Sequence, residues 1–110
     1  ERIVVAVLDR VRRWTDRGIR VAAFRPPTTP EMVALEDRAS GFNEVDFRAR
    51  FKAAGGTWLA VPTDPTWKTY DASHLRAESA RAFSAAVATE LNRTRLSRVG
   101  PTSAPSAETP

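Results

Sequence analysis

Two short apolar segments, each placed directly after a glycine and each ended by proline, most constrain the fold of this chain. The first covers residues 19–24 and is followed by Pro26, and the second covers residues 57–61 and is followed by Pro62. β-branched and apolar residues between such turn formers are typical of strands. Proline ends each run because it cannot donate to a sheet ladder. Two strands are therefore predicted.

Amphipathic helices are predicted before, between and after these strands. Apolar residues recur at spacings of three and four in the first of them, with arginine and aspartate on its other face. Thr29 before Pro30, and Asn43 further on, are typical of helix N-caps. By periodicity, Trp14 and Trp58 are expected in the core. The predicted helices cover about residues 3–17, 30–39, 43–54 and 75–95.

The order helix, strand, helices, strand, helix indicates an α/β fold with a parallel sheet. Two strands are too few for such a sheet, and the chain begins without methionine, so we expect further strands upstream in a longer protein. Residues 1–96 are interpreted as the C-terminal part of an α/β domain. Residues 97–110, rich in proline, serine, threonine and alanine, are predicted to be a disordered tail.

Composition excludes several classes of protein. With no cysteine and one histidine, the chain has no disulfide or thiolate metal site, and a zinc site is disfavoured. No apolar run approaches the roughly twenty residues of a membrane-spanning helix, so no membrane span is predicted. Nothing in the sequence assigns a cellular location.

The basic charge of the chain raises the question of nucleic acid. The net charge is +4, with fifteen arginines and two lysines. Arg10, Arg13 and Arg17 form a helical stripe, but Asp9 pairs with Arg13 at i,i+4 and Asp16 interrupts it. Because no aromatic residues are interleaved for stacking, a solvated helix face is favoured over a phosphate-binding patch. A nucleic-acid partner is therefore not expected.

The only histidine, His74, follows Asp71 at a spacing of three. This spacing can place the carboxylate against one imidazole nitrogen and leave the other free to move a proton, as in the acid and base of a catalytic triad. The structural alternative is that Asp71 or Ser73 caps the last helix and His74 lies in its first turn. The spacing alone leaves both readings open.

The predicted topology places this pair at a functional edge. In open parallel sheets, ligands bind outside the carboxyl ends of the strands. The segments 25–28 and 62–74 follow the two predicted strands and are expected on the same rim. Asp71 and His74 belong to the second of them.

Four other residues near this rim are candidates for substrate binding. Arg25 is suited to hold a carboxylate or phosphate, although a strand-end arginine also pairs with acids of its own chain. Trp67, Thr69 and Tyr70 precede the Asp-His pair and would line a pocket for an acyl or sugar group, or else pack the long loop. These alternatives stay open at the level of sequence.

The run YDASHL from Tyr70 to Leu75, followed by Glu78-Ser79-Ala80 and then Phe83, resembles the closing segment of the SGNH (GDSL-type) hydrolase superfamily. There an Asp-x-x-His pair precedes leucine, a small-residue step and an aromatic on the final helix. Ser79 stands where many relatives have glycine, a change that we expect the helix to tolerate. The specific motif is about fifteen residues long, whereas the order of elements is similar over about residues 1–95.

The resemblance implies a flavodoxin-like three-layer α/β/α sandwich, of which this chain holds the last two strands and their flanking helices. It implies hydrolysis or transfer of acyl groups from small-molecule or glycan esters, with no metal or organic cofactor, Asp71 as catalytic acid and His74 as base. The family's serine nucleophile and oxyanion-hole residues belong upstream, so this chain is expected to be inactive without the rest of the parent protein.

Two alternatives from other classes accompany this expectation. The first is a non-catalytic interaction domain of the same fold, in which Asp71 and His74 have only a structural role. The second, less favoured, is a basic nucleic-acid-binding module that uses the arginine stripe of the first helix.

Overall fold

The computed structural model describes residues 1–96, and the predicted tail 97–110 lies outside the described residues. The described part is a mixed arrangement of helices and a short parallel sheet. Its elements are α1 (Arg2–Asp16), β1 (Ala22–Ala23), α2 (Pro30–Ser40), α3 (Glu44–Ala53), β2 (Thr57–Trp58) and α4 (Ala77–Leu96).

The two strands pair in parallel, as predicted from the helices that separate them. Ala22 lies opposite Thr57 and Ala23 lies opposite Trp58. The N–H of Thr57 donates to the carbonyl of Val21 over 2.9 Å, and the next ladder bond joins Leu59 N–H to the carbonyl of Ala23 over 2.8 Å. The α/β class is thus borne out at the level of one parallel pair.

Both strands are shorter than predicted, and part of the first apolar run has another role. The segment 19–24 begins within the C-terminal cap of α1, where Gly18 has φ +80° and the N–H of Ile19 donates to the carbonyl of Trp14 over 3.0 Å. Only Ala22–Ala23 then form β1. In the second run, only Thr57–Trp58 of 57–61 form the strand.

The helix starts read from the sequence are confirmed in the middle of the chain. The Oγ1 of Thr29 accepts from the N–H of Met32 over 3.3 Å, and the Oδ1 of Asn43 accepts from the N–H of Asp46 over 3.0 Å. The last helix begins at Ala77 and not at about residue 75, because Leu75 takes part in an antiparallel bridge with the chain before it.

A small apolar cluster joins α1, α3 and the sheet. Val11, Phe51 and Ala54 are buried, and Trp58 packs edge-on against the ring of Phe51. Gly56 lies so close to this ring that an added Cβ would sit 2.3 Å from a ring carbon of Phe51. Any larger residue at position 56 would therefore displace the centre of the cluster.

Trp14 is not in this core, contrary to the expectation from periodicity. Its exposed fraction is 40%, whereas Val11, three residues earlier, is 3% exposed. The buried stripe of α1 faces α3, where the Oγ1 of Thr15 donates to the carbonyl of Ala54 over 2.7 Å. Trp14 lies beside that stripe and not on it, so it is surrounded by other residues of α1 and by solvent.

Aromatic contacts on the other side of β1 connect the sheet to α4. Successive residues of an extended chain point to opposite faces, so Ala23 packs on the core cluster and Phe24 does not. The ring of Phe24 instead meets Phe83 of α4 edge-on at 5.5 Å, and Trp67 meets Phe83 at 5.7 Å. This contact brings the segment before Asp71 next to α4.

Candidate active site

The Asp-His pair lies at the tip of a tight reversal of the chain, here called the 68–76 hairpin. Thr69 and Leu75 form an isolated antiparallel bridge. The N–H of Tyr70 donates to the carbonyl of His74 over 3.1 Å, and a second bond at the base of the reversal joins Arg76 N–H to the carbonyl of Lys68 over 2.8 Å. The backbone itself thus presents residues 71–73 at the tip.

The carboxylate of Asp71 holds both the backbone and the side chain of His74. Its Oδ1 accepts from the N–H of Ser73 over 3.0 Å and from the N–H of His74 over 2.7 Å. Its Oδ2 lies 2.7 Å from Nδ1 of the imidazole. Aspartate is suited to this position because its short side chain reaches the backbone two and three residues on.

The turn requires a left-handed conformation at Ala72, whose φ is +67°. This region is unfavourable for a residue with a Cβ, and such strain persists only where neighbouring contacts hold it. Besides the bonds of Asp71, the carbonyl of Ala72 accepts from the N–H of Thr29 over 3.2 Å. Because Thr29 is the N-cap of α2, the hairpin tip is anchored to the start of that helix.

Hydrogen bonding keeps Asp71 ionised. The backbone N–H of His74, and next its ring nitrogen, lower the pKa of the Asp71 carboxyl below its ordinary value. An ionised Oδ2 can only accept a hydrogen bond, so Nδ1 of His74 is the donor and Nε2 carries the lone pair when the ring is neutral. Within residues 1–96, no hydrogen bond to Nε2 is present, and the His74 side chain is 65% exposed. Nε2 is therefore accessible for proton transfer.

Tyr70 is the candidate binding residue that lies against the pair. Its ring stacks on the imidazole of His74, with centroids 5.6 Å apart and planes inclined by 18°. Thr69 holds the bridge to Leu75, and the Trp67 ring packs on α4. The structure thus brings Tyr70 to the imidazole and uses Trp67 in packing the loop.

Arg25 is committed to acidic side chains of α2 and α3. Its guanidinium forms two bonds to Asp37, of 2.9 and 3.3 Å, and further bonds to Glu44 at 3.0 Å and Glu36 at 3.2 Å. The bond to Asp37 is the largest cause of a raised pKa for Arg25, with Glu44 and Glu36 adding to it. Of the two alternatives for Arg25, the structure displays the ion-paired one.

Ser79 is a positioning residue that sequence reasoning missed. It is the buried polar side chain of the described part, 9% exposed, and its Oγ accepts from the N–H of Lys68 over 2.8 Å. Its position could have indicated this role. Ser79 precedes Phe83 by four residues and so lies on the same inward face of the last helix, where a buried hydroxyl needs a hydrogen-bond partner. Ser79 therefore fixes the base of the 68–76 hairpin to α4.

The capping alternative for the pair is wrong. Since α4 begins at Ala77, neither Asp71 nor Ser73 lies at its N-cap, and His74 is not in its first turn. Asp71 stabilises a turn that precedes the helix by several residues.

The pair lies on an open surface. A largely apolar cavity of about 320 Å³ is lined by Arg25, Phe42 and Trp58 among others, but not by Asp71 or His74. Among residues 1–96, no group of three or more histidine, aspartate or glutamate side chains is arranged to hold a metal ion. No helix of this same part is both long enough and apolar enough to cross a membrane.

Comparisons with protein-family models, curated proteins and solved structures gave no match to this chain.

Proposed function

We propose that Asp71 and His74 are the acid and base of an acyl-ester hydrolase or acyltransferase that works by a Ser-His-Asp triad. The observation that carries the proposal is the 2.7 Å contact between Oδ2 of Asp71 and Nδ1 of His74, while Nε2 has no hydrogen bond within residues 1–96. This arrangement has the tautomer that a general base needs.

In the proposed reaction, Nε2 of His74 takes the proton of a serine hydroxyl as that hydroxyl attacks the ester carbonyl, and then gives it to the leaving alcohol. Asp71 holds the ring in position and stabilises the imidazolium that forms. The acyl group is now carried by the serine. Water or another hydroxyl then attacks it, and His74 takes the proton of that acceptor and returns it to the serine, which is released. The acid-base chemistry needs no metal or organic cofactor.

The proposal places the serine and its oxyanion hole on a segment that precedes Glu1, in a flavodoxin-like sheet that extends the β1–β2 pair. It is supported by the parallel pairing of β1 with β2 and by the resemblance of residues 70–83 to the SGNH superfamily. The ligand would be a small-molecule or glycan acyl ester.

Labelling by a fluorophosphonate tests the proposal in a polypeptide extended at its amino terminus by the preceding coding sequence. We expect one labelled serine, loss of labelling with His74→Ala, and a fall of kcat by about three to four orders of magnitude with Asp71→Asn. The matched control is Asp64→Asn, because Asp64 holds a neighbouring turn through Thr66 and contacts no histidine. An extended protein without a reactive serine would sink the proposal.

The 110-residue chain gives a second check on where the nucleophile lies. Removing a single oxyanion-hole donor typically costs a hundredfold or more in rate, so a chain without the whole group is expected not to hydrolyse p-nitrophenyl acetate above background. Hydrolysis that His74→Ala abolishes would place the nucleophile within these residues.

A second candidate is an interaction domain in which the pair only stabilises a turn. It is favoured by the two hydrogen bonds that Oδ1 of Asp71 accepts from backbone N–H groups, since these bonds hold the hairpin whether or not the imidazole has a chemical role. In that case Asp71→Asn would lower stability, and neither the 110-residue chain nor the extended protein would react with fluorophosphonate.

A further inference from the structure

The exposed side of α1 combines large apolar residues with arginines. Ile3, Val7 and Trp14 are 80%, 44% and 40% exposed, and at 3.6 residues per turn they share one stripe about 40° wide. Arg2, Arg10, Arg13 and Arg17 fall on the adjoining arc of about 80°. We call these two arcs together the outer face of α1.

No acidic residue lies within the outer face. Asp9 and Asp16 lie about 20° and 40° beyond its edge, so Asp16 does not interrupt the arginine stripe as the sequence suggested. Asp9 is bound to Arg13 at 2.8 Å. Within the described residues, Arg10 and Arg17 form no ion pair with an acid. The outer face is therefore both positively charged and apolar, which distinguishes it from an ordinary solvated helix surface.

Trp14 joins the two arcs. The guanidinium carbon of Arg10 lies over its indole ring, 6.0 Å from the centroid. Sequence periodicity assigns Trp14 to the core and so separates it from the arginines, whereas the structure places it among them. The premise that no aromatic residue accompanies the arginine stripe is thus overturned.

We propose that the outer face of α1 binds the surface of an anionic lipid bilayer. The arginines would meet the headgroup charges, and Ile3, Val7 and Trp14 would enter the boundary between headgroups and acyl chains. A lipid surface is favoured over nucleic acid because exposed aliphatic side chains such as Ile3 and Val7 have no role on a phosphate backbone but gain by burial in lipid. The proposal uses none of the residues to which the hydrolase proposal assigns a role.

Cosedimentation of the 110-residue protein with vesicles tests it. We expect binding to vesicles of phosphatidylcholine with about 30% phosphatidylglycerol, little binding to pure phosphatidylcholine, and weakening as salt is raised. The double variant Arg10→Gln, Arg17→Gln should lower the partition coefficient about thirtyfold. Val7→Ser should lower it as well, at constant charge.

The helix supplies matched controls on its other sides. Arg12→Gln removes the same kind of charge outside the outer face, and Val5→Ser removes a valine that is 50% exposed but lies off the apolar stripe. Both should bind vesicles as the unchanged protein does. Equal losses for Arg12→Gln and the double variant would overturn the proposal. So would tighter binding to a single-stranded oligonucleotide at the same salt, or a dimer that Val7→Ser dissociates.

Discussion

The N–H of Lys68 donates a 2.8 Å hydrogen bond to the buried Oγ of Ser79, and this bond ties the base of the 68–76 hairpin to α4. The tip of the same hairpin is held by Thr29 at the start of α2. The Asp71–His74 pair is thus positioned by two helices that are far apart along the chain.

Ser79→Ala should destabilise the protein, because it leaves the N–H of Lys68 without its partner. A buried donor left unsatisfied costs about 1–3 kcal/mol. Urea unfolding followed by circular dichroism should show this loss, and hydrogen exchange should show a less protected Lys68 amide. Ser84→Ala is the matched control, since the Ser84 Oγ only donates to the carbonyl of Ala80 on the exposed side of α4. Equal effects of the two changes would contradict the role of Ser79.

Asp71 should make stability depend on pH in the acid range. Its pKa is lowered in the folded protein, chiefly by the His74 backbone N–H, so its contribution is fully present above the unfolded pKa and is lost as pH falls through the folded pKa. The difference in free energy of unfolding between the unchanged protein and Asp71→Asn should therefore shrink below the ordinary carboxyl range. The carboxyl carbon shift of Asp71, followed by NMR, should titrate below 3.8. A midpoint at or above this value would refute the proposed hydrogen bonding.

The effect of a substitution at Ala72 on stability should depend on how readily the new residue adopts the left-handed conformation. At φ +67°, glycine avoids the strain of a Cβ but has a more flexible unfolded chain, so Ala72→Gly should change stability by about 0–1 kcal/mol in the favourable direction. Ala72→Val should destabilise by more than about 1 kcal/mol, because β-branched residues rarely adopt this region. Thermal unfolding of the two variants checks the order, and a valine variant as stable as the glycine one would contradict the left-handed turn.

Arg25→Met should destabilise the contact between α2 and α3, because it leaves Asp37, Glu44 and Glu36 without their shared cation. The Arg25 side chain is 19% exposed, so part of its interaction is screened, and a loss of roughly 1–3 kcal/mol is expected. Arg25→Lys should recover only part, since lysine lacks the planar fork that binds Asp37 through two nitrogens.

The exposed Arg38 on α2 provides the control for Arg25. Arg38→Met removes an equal charge and should change the free energy of unfolding by less than about 0.5 kcal/mol. If both substitutions cost the same in urea unfolding, general charge balance and not the Arg25 cluster would be responsible.

Local signals along the chain predicted the order of elements well. Thr29 and Asn43 act as N-caps because the side chain and its helix are neighbours in sequence. Strand length was overestimated, because Ile19 is drawn into the cap of α1 and a ladder extends only where a partner strand runs alongside. Pairing with another segment is a tertiary property that an apolar run does not encode by itself.

The candidate site likewise has one part that the sequence predicted and another that depends on contacts between distant segments. The spacing of Asp71 and His74 was sufficient to anticipate their contact, and its catalytic use stays a prediction. The hairpin that presents them was not anticipated, because it depends on Ser79 from α4 and on the N–H of Thr29, both distant in sequence. The partners of Arg25 were equally out of reach, since a strand-end arginine carries no local sign of which acids lie near it.

The stack of Tyr70 on His74 gives the imidazole two unequal faces. A molecule that reaches Nε2 must come along the ring edge or from the side that the phenol ring does not cover. Tyr70 thus shields one face of the imidazole and reduces the directions from which a partner can approach it.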